Sequence, residues 1–470
     1  METKPKIFDL IVIGSGPGGY LSTILFSQKG LSVALIEKGE WGGTCLNRGC
    51  IPTKALLNEA YLWDASLRSG WVRNREEIVN PYKNAFEKKD EAVKQVVSGL
   101  KNLLNRDRIT LFQGEASFIQ PRSLVVKKDG AIIERLESNR ILIATGAVLK
   151  EDPHLKWDGQ WVMGSNDVLK MKDLPSSMAI VGGGRRGVEF AILFHAFGVK
   201  VTLIEKGDRI LSRMDREVSI RYKGLLTKRN IKVLTDAEIV DSKQVEENRT
   251  MGLTLRFKGK EEHLEFERVL VVGERRGDVD GLNVTNASLS LKDGFISVDS
   301  KMETSSPVIY AVGDVAGKGF MAHKAFSEAR VAVENLLGKR AQMDYRFIPV
   351  CLYGFPEAAS VGLTEEEARK QWGEIKIGKF PFMGCGRAVA ASEQEGMVKI
   401  ISDPKYGEIL GVHILGPDAT EMIHLGAMAM RHEIGVEEVN QTLFAHPTFS
   451  EAFFEAGLDT YGEAIHMIKA

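Results

Sequence analysis

Two stretches of the chain repeat one pattern of hydrophobic and polar positions. Residues 10–39 read LIVIGSGPGGYLSTILFSQKGLSVALIEKG, and residues 179–207 read AIVGGGRRGVEFAILFHAFGVKVTLIEKG. Each has an apolar run typical of a buried strand, a glycine-rich turn, an amphipathic helical segment, a second apolar run and an acid. The acid lies 23 positions after the first glycine in both copies, from Gly14 to Glu37 and from Gly182 to Glu205. This diverged repeat predicts two dinucleotide-binding units.

The pattern outside the repeat predicts further elements. Apolar positions three and four apart predict a solvent-flanked helix over residues 85–108, and short alternating runs predict strands over 111–143. The segment Tyr310–Asp314 looks like a return to the first unit. From about residue 346 the rhythm changes, and a third domain is predicted with strands near 348–362, 376–380 and 397–415 and a helix over 418–431.

Composition and charge narrow the class of protein. A chain of 470 residues suggests about three domains. A hydrophobic fraction of 44% and a charged fraction of 27% are typical of globular proteins, and the net charge of −1 gives no electrostatic reason to expect nucleic acid. The apolar run from Ile7 to Ile13 is short and contains Asp9, so it predicts a buried strand rather than a signal peptide. No stretch approaches the ~18 apolar residues of a membrane span.

Both glycine turns fit the G-x-G-x-x-G pattern. These glycines permit a tight turn and a close backbone approach to a pyrophosphate at the following helix N-terminus. They are Gly14, Gly16 and Gly19 in the first copy, and Gly182, Gly184 and Gly187 in the second. Glu37 is placed to accept hydrogen bonds from ribose hydroxyls. Glu205 favours NAD, because its carboxylate would repel the 2′-phosphate of NADP, although Lys206 and Arg209 follow closely.

Two cysteines, Cys45 and Cys50, follow the first copy directly. Across a regular helix their Cα atoms would be roughly 8–9 Å apart, beyond the ~7 Å limit of a disulfide. A redox disulfide therefore needs a distorted turn, which Gly49 and Pro52 could supply. Lys54 lies four residues after Cys50, and a nearby cation favours thiolate. In a reducing cytosol, a disulfide that persists is usually catalytic or redox-sensing.

The remaining candidates are one histidine pair and two isolated cysteines. His446 and Glu451 lie in the motif HPTFSE, and a carboxylate can fix the tautomer of a histidine and raise its basicity. The pair could deprotonate an incoming thiol. Cys351 and Cys385 are interpreted as free buried cysteines, and no cysteine has zinc-ligand spacing with histidines, so no metal site is predicted.

Together these motifs resemble the pyridine nucleotide–disulfide oxidoreductases, over essentially the whole chain and in order. The matching segments are the fingerprint at 14–19, GGTCLNRGCIPTK at 42–54, ATG at 144–146, the second unit at 182–205, YAVGDV at 310–315, MAHKA at 321–325, YGFPEAASVG at 353–362 and HPTFSE at 446–451. No single segment is specific, but the combination is.

The resemblance implies an α/β fold class with two Rossmann-like domains, one for FAD and one for NAD, and a C-terminal α+β dimerisation domain. The implied domains are residues 1–148 (FAD, first part), 149–272 (NAD), 273–345 (FAD, return segment) and 346–470 (interface). Besides the first fingerprint and Glu37, the implied cofactor-binding residues are Lys54, Gly114, Thr145, Gly146, Gly273, Asp314, Ala322 and His323. Lys54 would lie by the flavin ring and pair with Glu189.

The implied activity is oxidation of dihydrolipoamide on a lipoyl carrier protein, with NAD⁺ as acceptor. The expected partner is a lipoylated carrier domain or acyltransferase, and the expected location is the cytoplasm. Dihydrolipoamide would give a proton to His446 of a partner chain and attack Cys45, the outer sulfur, and Cys50 would pass the electron pair to FAD. Because His446 and Glu451 would reach the disulfide of the other subunit, the active unit would be a homodimer.

The chain departs from the family pattern in three places. Arg185 and Arg186 replace residues that are usually apolar or aromatic, the stretch 273–277 carries an apparent insertion, and Cys385 stands where the family usually has no cysteine. We hypothesise that one guanidinium lies near the flavin or the nicotinamide phosphates, and that Arg186 competes with Lys54 for Glu189.

Other functions stay open at this point. Glutathione reduction would usually use NADPH, which Glu205 disfavours. Mercuric reduction would need a C-terminal pair of adjacent cysteines, and the chain ends Met467-Ile468-Lys469-Ala470. A redox sensor within a lipoyl complex, with a nicotinamide site obstructed by Arg185 and Arg186, is the alternative from a different class.

Overall fold

The structure is a computed structural model that describes residues 4–72 and 80–467. The outer limits of the first and last predicted domains, residues 1 and 470, and the terminal residues 468–470 lie outside these ranges. Within them, the α-helices are α1 Pro17–Ser27, α2 Gly43–Arg48, α3 Cys50–Arg68, α4 Pro81–Leu104, α5 Ser165–Val168, α6 Arg185–Ala196, α7 Arg216–Lys228, α8 Ala322–Leu336, α9 Glu365–Trp372, α10 Gly386–Ala391, α11 Ala419–Arg431, α12 Val436–Gln441 and α13 Glu451–Asp459. Short 3-10 helices span Gly313–Ala316 and Phe382–Gly384.

The strands in the same ranges are β1 Lys6–Ile7, β2 Leu10–Ile13, β3 Val33–Glu37, β4 Ile109–Gln113, β5 Glu115–Gln120, β6 Ser123–Lys128, β7 Ala131–Glu137, β8 Ile141–Ile143, β9 Ala147–Leu149, β10 Val162–Met163, β11 Ser177–Val181, β12 Lys200–Ile204, β13 Lys232–Leu234, β14 Ala237–Val245, β15 Thr250–Phe257, β16 Lys260–Phe266, β17 Arg268–Val271, β18 Arg275–Gly277, β19 Leu291–Lys292, β20 Phe295–Ile296, β21 Ile309–Ala311, β22 Val350–Leu352, β23 Glu357–Gly362, β24 Lys376–Pro381, β25 Met397–Ser402 and β26 Ile409–Gly416.

The chain divides into two compact units. The first comprises residues 1–56, 84–151 and 273–344, and the second comprises residues 57–83, 152–272 and 345–470. Each unit is therefore discontinuous in sequence. The predicted boundary after residue 148 falls inside β9, which pairs antiparallel with β18.

The first unit is organised by a parallel five-stranded sheet with the order β21-β8-β2-β3-β4. Its central strands are apolar and fully buried, as expected for a sheet covered on both faces. The order is that of one half of a doubly wound fold, with β2 followed by α1 and then β3. A second sheet, β1-β7-β6-β5, contributes Phe118, Leu124 and Leu136 to the same core.

The second unit contains another parallel sheet, β10-β17-β11-β12-β13, with α6 between β11 and β12. It also contains an antiparallel sheet, β22-β23-β26-β25-β24, whose strands β25 and β26 are buried along their length. Helices α11 and α13 pack on this sheet around an apolar cluster that includes Phe380, Phe382 and Phe453. The predicted C-terminal strands and helix are confirmed in this part of the chain.

One predicted strand was wrong. The apolar run from Ile7 to Ile13 does not form one buried strand, because the chain divides it between two sheets. Asp9 is the physical cause: its carboxylate accepts hydrogen bonds from the backbone N–H of Ser32 at 2.8 Å and from its hydroxyl at 2.7 Å. Ile7 is consequently exposed on β1, whereas β2 begins at Leu10.

No helix in residues 4–72 and 80–467 is both long enough and apolar enough to cross a membrane.

Candidate active site

The first glycine turn is held against the end of β3. Because carboxyl ends of parallel strands meet at one edge of the sheet, the turn after β2 lies beside Glu37. Glu37 accepts hydrogen bonds from the backbone N–H of Ser15 at 2.8 Å, from its hydroxyl at 2.7 Å and from the N–H of Gly39 at 2.7 Å. A Cβ at Gly19 would lie 1.8 Å from the carbonyl oxygen of Gly14, so the third fingerprint position requires glycine.

The surroundings of this turn fit a dinucleotide. A Cβ on Gly16, the residue that precedes α1, would meet no atom within 4 Å, so the helix N-terminus faces open space. Within the described residues, the buried hydroxyl of Thr145 has no hydrogen-bond partner. Gly146 follows in a left-handed conformation with φ of 81°. An open helix N-terminus and an unpartnered buried hydroxyl together suit a cofactor with phosphate and ribose groups.

The other residues predicted for FAD lie in the same unit. Gly114 connects β4 to β5, and its N–H donates to the backbone carbonyl of Glu37 at 2.9 Å. Asp314 lies in the 3-10 helix Gly313–Ala316, close enough to Arg275 for its charge to affect that guanidinium. Burial lowers the pKa of Arg275, and the carboxylate of Asp314 opposes that shift. Ala322 begins α8, and His323 is exposed. Gly273, predicted as cofactor-binding together with the second fingerprint, is exposed just before β18 and belongs to the first unit.

The thiol pair lies where α2 ends and α3 begins, and the predicted break is confirmed. Helix α2 ends at Arg48, Gly49 has φ −146° and ψ −105°, and α3 starts at Cys50. A Cβ on Gly49 would lie 2.9 Å from the carbonyl oxygen of Thr44, so a side chain there would disturb the turn. The break lets the side chains of Cys45 and Cys50 hydrogen-bond to each other, and both are thiols in this structure.

The pKa values of the two thiols are shifted in opposite directions. The hydrogen bond from Cys45 lowers the pKa of Cys50 to about 7; burial opposes this shift and the charge of Lys54 favours it. The hydrogen bond to Cys50, together with burial, raises the pKa of Cys45. Of the two thiols, Cys50 is therefore the one that ionises more readily. The charge of Lys54 acts in the predicted direction, and its role at the thiol pair stays a prediction.

Tyr20 lies near the thiol pair, although no motif in the sequence indicates it. This residue is on α1, one position after the first fingerprint, and its ring packs edge-to-face on Phe326 with centroids 5.9 Å apart. Burial raises the pKa of Tyr20 to about 12, and the charges of Cys45 and Cys50 contribute. A protonated phenol thus lies within electrostatic range of the thiol pair. In the sequence, only its position directly after the fingerprint could have indicated that Tyr20 lies close to the thiol pair.

The second fingerprint repeats the first in the other unit. The carboxylate of Glu205 accepts hydrogen bonds from the backbone N–H of Gly183 at 2.6 Å and of Gly207 at 2.7 Å. A Cβ on Gly187 would lie 1.8 Å from the carbonyl oxygen of Gly182, whereas one on Gly184 would meet nothing within 4 Å. The open N-terminus of α6 and the fixed acid therefore also fit a dinucleotide.

Gly187→Ala is expected to weaken this site selectively. Because the added methyl would overlap the carbonyl of Gly182, the turn must open, and we expect the KM for NAD⁺ to rise at least ~10-fold. Steady-state kinetics with varied NAD⁺ measures this change. Gly224→Ala, on α7 with open space around its Cβ, is the matched control. An unchanged KM in the Gly187 variant would contradict a nucleotide site at this turn.

Two charged residues on one face of α6 hold strand β22. The guanidinium of Arg185 donates to the carbonyl oxygen of Cys351 at 2.9 Å, and the carboxylate of Glu189 accepts from the N–H of Tyr353 at 3.0 Å. The hypothesis of a guanidinium near the flavin or nicotinamide phosphates thus receives no support from Arg185, whose side chain contacts the backbone of β22. Glu189 is 3% exposed, and its pairing with Lys54 stays a prediction.

His446 and Glu451 form a hydrogen-bonded pair. The Nδ1 atom of His446 lies 2.7 Å from the carboxylate of Glu451, which also accepts from the N–H of Thr448 at 2.8 Å. Burial would raise the pKa of Glu451, but these hydrogen bonds lower it on balance. The side chain of His446 is 77% exposed, so its ring is available to a group from outside this chain. Cys385, one of the three departures from the family pattern, is buried, and its thiol donates a hydrogen bond to the carbonyl oxygen of Thr448 at 3.4 Å.

The predicted residues thus form three clusters. The first unit contains the thiol pair with Lys54 and the residues predicted for FAD. The second unit contains the NAD fingerprint with Glu189, and separately the pair His446–Glu451.

The chain is similar to known proteins over nearly its whole length. The model of the family "Pyridine nucleotide-disulphide oxidoreductase" matches residues 8–334, and that of its dimerisation domain matches residues 348–456. A dihydrolipoyl dehydrogenase of Bacillus subtilis is 36% identical over 98% of this chain and 99% of its own length. One from Thermus scotoductus is 36% identical over 99% of this chain and 100% of its own length.

A solved structure is also similar. The Cu(II) complex of the HOCl-induced flavoprotein disulfide reductase RclA from Escherichia coli superposes with a TM-score of 0.86 at 28% identity, covering 97% of this chain and 99% of that chain. The predicted α/β fold class and the predicted class of enzyme, an oxidoreductase that uses FAD and NAD(H), are confirmed. The chain belongs to the pyridine nucleotide-disulphide oxidoreductase family.

Proposed function

We propose that this protein oxidises dihydrolipoamide on a lipoyl carrier protein and reduces NAD⁺, through FAD and the Cys45–Cys50 pair. The placement of the two thiols carries the proposal: Cys45 and Cys50 meet at the break between α2 and α3, and the chain just before them is bonded to the first fingerprint through the N–H of Gly42 and the hydroxyl of Ser15. The full-length similarity to dihydrolipoyl dehydrogenases supports the choice of substrate.

The first unit would hold FAD. The fingerprint glycines and Thr145 would receive its pyrophosphate and ribose groups, Glu37 its adenosine ribose, and Asp314 the ribityl–phosphate region. Gly114, Gly146, Ala322 and His323 would line the site. When bound, FAD accepts the electron pair of the thiols and passes it on to NAD⁺. The protein supplies the placement of the thiol pair and the charge of Lys54.

The residues of the chain then account for the proton and the sulfur bonds. His446, oriented by Glu451, takes the proton of one substrate thiol. The resulting thiolate attacks Cys45 of the oxidised pair, which forms a mixed disulfide and releases Cys50 as thiolate. The second substrate thiol attacks its own partner sulfur, so the substrate leaves as a cyclic disulfide and Cys45 leaves as a thiol. Two electrons have moved from the substrate to the pair.

We propose that the base comes from a second copy of the chain. The presence of a dimerisation domain supports a homodimer. The segment 348–456, which matches the dimerisation domain, has large exposed apolar side chains that an interface would bury: Met383, Val389, Met428 and Leu443. We propose the same domain division as the sequence predicts, with residues 346–470 as the interface domain after the segments 1–148, 149–272 and 273–345. We also propose a cytoplasmic location, because a disulfide that persists in a reducing compartment is usually catalytic.

A substrate panel tests the function. We expect turnover with dihydrolipoamide or a lipoylated domain and NAD⁺, and none with glutathione disulfide or Hg²⁺ and either reduced nucleotide. Rapid reduction by dihydrolipoamide without reoxidation by NAD⁺ would favour the redox sensor instead. Efficient turnover of glutathione disulfide with NADPH would contradict the proposal.

The second fingerprint is expected to prefer NAD⁺. Both oxygens of Glu205 are fixed by backbone N–H groups, and the nearby cations are engaged by carboxylates: Lys206 by Glu238 at 2.7 Å and Arg209 by Glu366 at 3.4 Å. We therefore expect kcat/KM for NAD⁺ to exceed that for NADP⁺ by at least ~100-fold. Glu205→Ser should lower the ratio of the two kcat/KM values about 10-fold. Glu247→Gln, at an exposed acid in the turn between β14 and β15, is the control for the loss of one negative charge. Equal use of both nucleotides would refute this preference.

A further inference from the structure

A lysine and a glutamate of the first unit are fully buried on α8. The side chains of Lys324 and Glu328 are both 0% exposed, and the lysine ammonium lies 3.1 Å from each carboxylate oxygen. A lysine and a glutamate four apart on a helix usually form an exposed pair that contributes little. Here both charges have been removed from water, which is costly unless every donor and acceptor is satisfied.

The hydrogen bonds of the pair converge on one turn. Besides Glu328, the ammonium of Lys324 donates to the carbonyl oxygens of Gly313 at 3.1 Å and Gly317 at 2.8 Å. These contacts engage all three donors of a lysine. Glu328 accepts from the N–H of Gly313 at 2.8 Å. The pair is therefore hydrogen-bonded to both ends of the five-residue segment 313–317, which contains Asp314.

The turn at residues 313–317 has an unusual backbone conformation. Gly313 and Gly317 both adopt left-handed conformations, with φ of 78° and 72°, on either side of Asp314. Glycine enters this conformation freely but also leaves it freely in the unfolded or loosened chain. Inside the turn the N–H of Gly317 donates to the carbonyl of Asp314, and just before the turn the N–H of Val312 donates to the carbonyl of Ile143 on β8. The charged pair supplies the restraint that two glycines do not.

Replacing a buried ion pair by apolar side chains of similar volume is often neutral for stability. A fully buried pair that is aimed at the backbone of a ligand-binding turn thus points to placement of that turn. We propose that Lys324 and Glu328 are positioning residues that hold Asp314 for the ribityl–phosphate part of FAD. The inference rests on the proposed binding of FAD at Asp314.

The test replaces both charges together. In Lys324→Met/Glu328→Leu no charge is left buried and the volume is nearly kept, so the chain should fold. We expect the dissociation constant of FAD, measured from flavin fluorescence on dilution of the holoenzyme, to rise about 10- to 100-fold, as for other residues that orient a ligand-binding group. Amide hydrogen exchange over residues 313–317 should accelerate in the same variant, with or without flavin.

A second variant and a control separate placement from stability. Lys324→Met/Glu328→Gln keeps an acceptor for the N–H of Gly313 and should show a smaller loss of affinity, and it takes over the test if the first variant does not fold. The control is Asp215→Leu/Lys399→Met, which removes another buried pair, 2.9 Å apart and 1% exposed, in the other unit. It should leave FAD affinity and exchange at 313–317 unchanged.

Each result decides the question. Unchanged FAD affinity and unchanged exchange in a folded double variant would overturn the positioning role. An equal loss of FAD in the control would overturn it as well, since general destabilisation would then be the cause. If the unmodified protein neither carries nor takes up FAD, the proposed function fails instead, and hydrogen exchange alone still shows whether the pair holds the turn.

Discussion

Serine at Cys45 or at Cys50 is expected to reduce NAD⁺-linked oxidation of dihydrolipoamide by at least ~1,000-fold. Each substitution removes one of the two sulfurs between which the electron pair must pass, and no other thiol is available as a substitute in this part of the chain. Cys351 and Cys385 are buried in the other unit. Steady-state turnover with dihydrolipoamide measures the loss.

The two positions are not equivalent, and pH distinguishes them. The thiolate of Cys50 forms as pH rises through about 7, because Cys45 donates a hydrogen bond and Lys54 supplies a charge. In Cys45→Ala that donor is lost, so we expect the pKa of Cys50 to rise. In Cys45→Ser the hydroxyl still donates, and the pKa should stay closer to that of the unmodified protein. Ultraviolet absorbance of the thiolate, followed against pH, measures both values.

Cys385→Ser is the matched control, since this buried thiol makes a hydrogen bond that a hydroxyl can also make. It should retain activity close to that of the unmodified protein. An active Cys50→Ser variant would remove the thiol pair from the pathway. Identical pKa values in the alanine and serine variants at Cys45 would show that the hydrogen bond does not set the acidity of Cys50.

The sequence predicted those features that depend on spacing. The repeat located both fingerprints, since each requires glycine at fixed positions near a strand end. The helix break at Gly49 could also be predicted, because a regular helix holds cysteines five apart too far from each other. The histidine–carboxylate pair was identified from six residues of local sequence.

Features that depend on distant contacts could not be predicted. The side chain of Arg185 is directed to Cys351, 166 positions away, and nothing in the local pattern specifies that partner. Lys324 and Glu328 have the spacing of an exposed helical pair, yet both are fully buried. Asp9 divides an apolar run because Ser32 offers hydrogen bonds that a continued strand would leave unmade. In each case a polar contact that the local pattern does not specify decides where the side chain lies.

His446→Gln is expected to lower turnover with dihydrolipoamide about 100- to 1,000-fold, because the amide cannot accept the thiol proton. Glu451→Gln should cause a smaller loss, since it removes the carboxylate that accepts the hydrogen bond of His446 and the N–H of Thr448. Part of the activity of the His446 variant should return at high pH, where the substrate thiol ionises in solution. Turnover measured against pH tests this; His424→Gln, on the exposed side of α11, is the control.

Mixing two inactive variants tests whether the base belongs to a second chain. If His446 serves the thiol pair of its partner, a dimer of one Cys45→Ser and one His446→Gln chain contains one intact site and one doubly altered site. Random exchange of equal amounts makes half of the dimers mixed, so activity should return to about a quarter of that of the unmodified protein. If His446 serves the thiols of its own chain, every site in the mixture carries one substitution and no activity returns. Recovery therefore distinguishes a shared site from two independent ones without any assumption about the geometry of the interface.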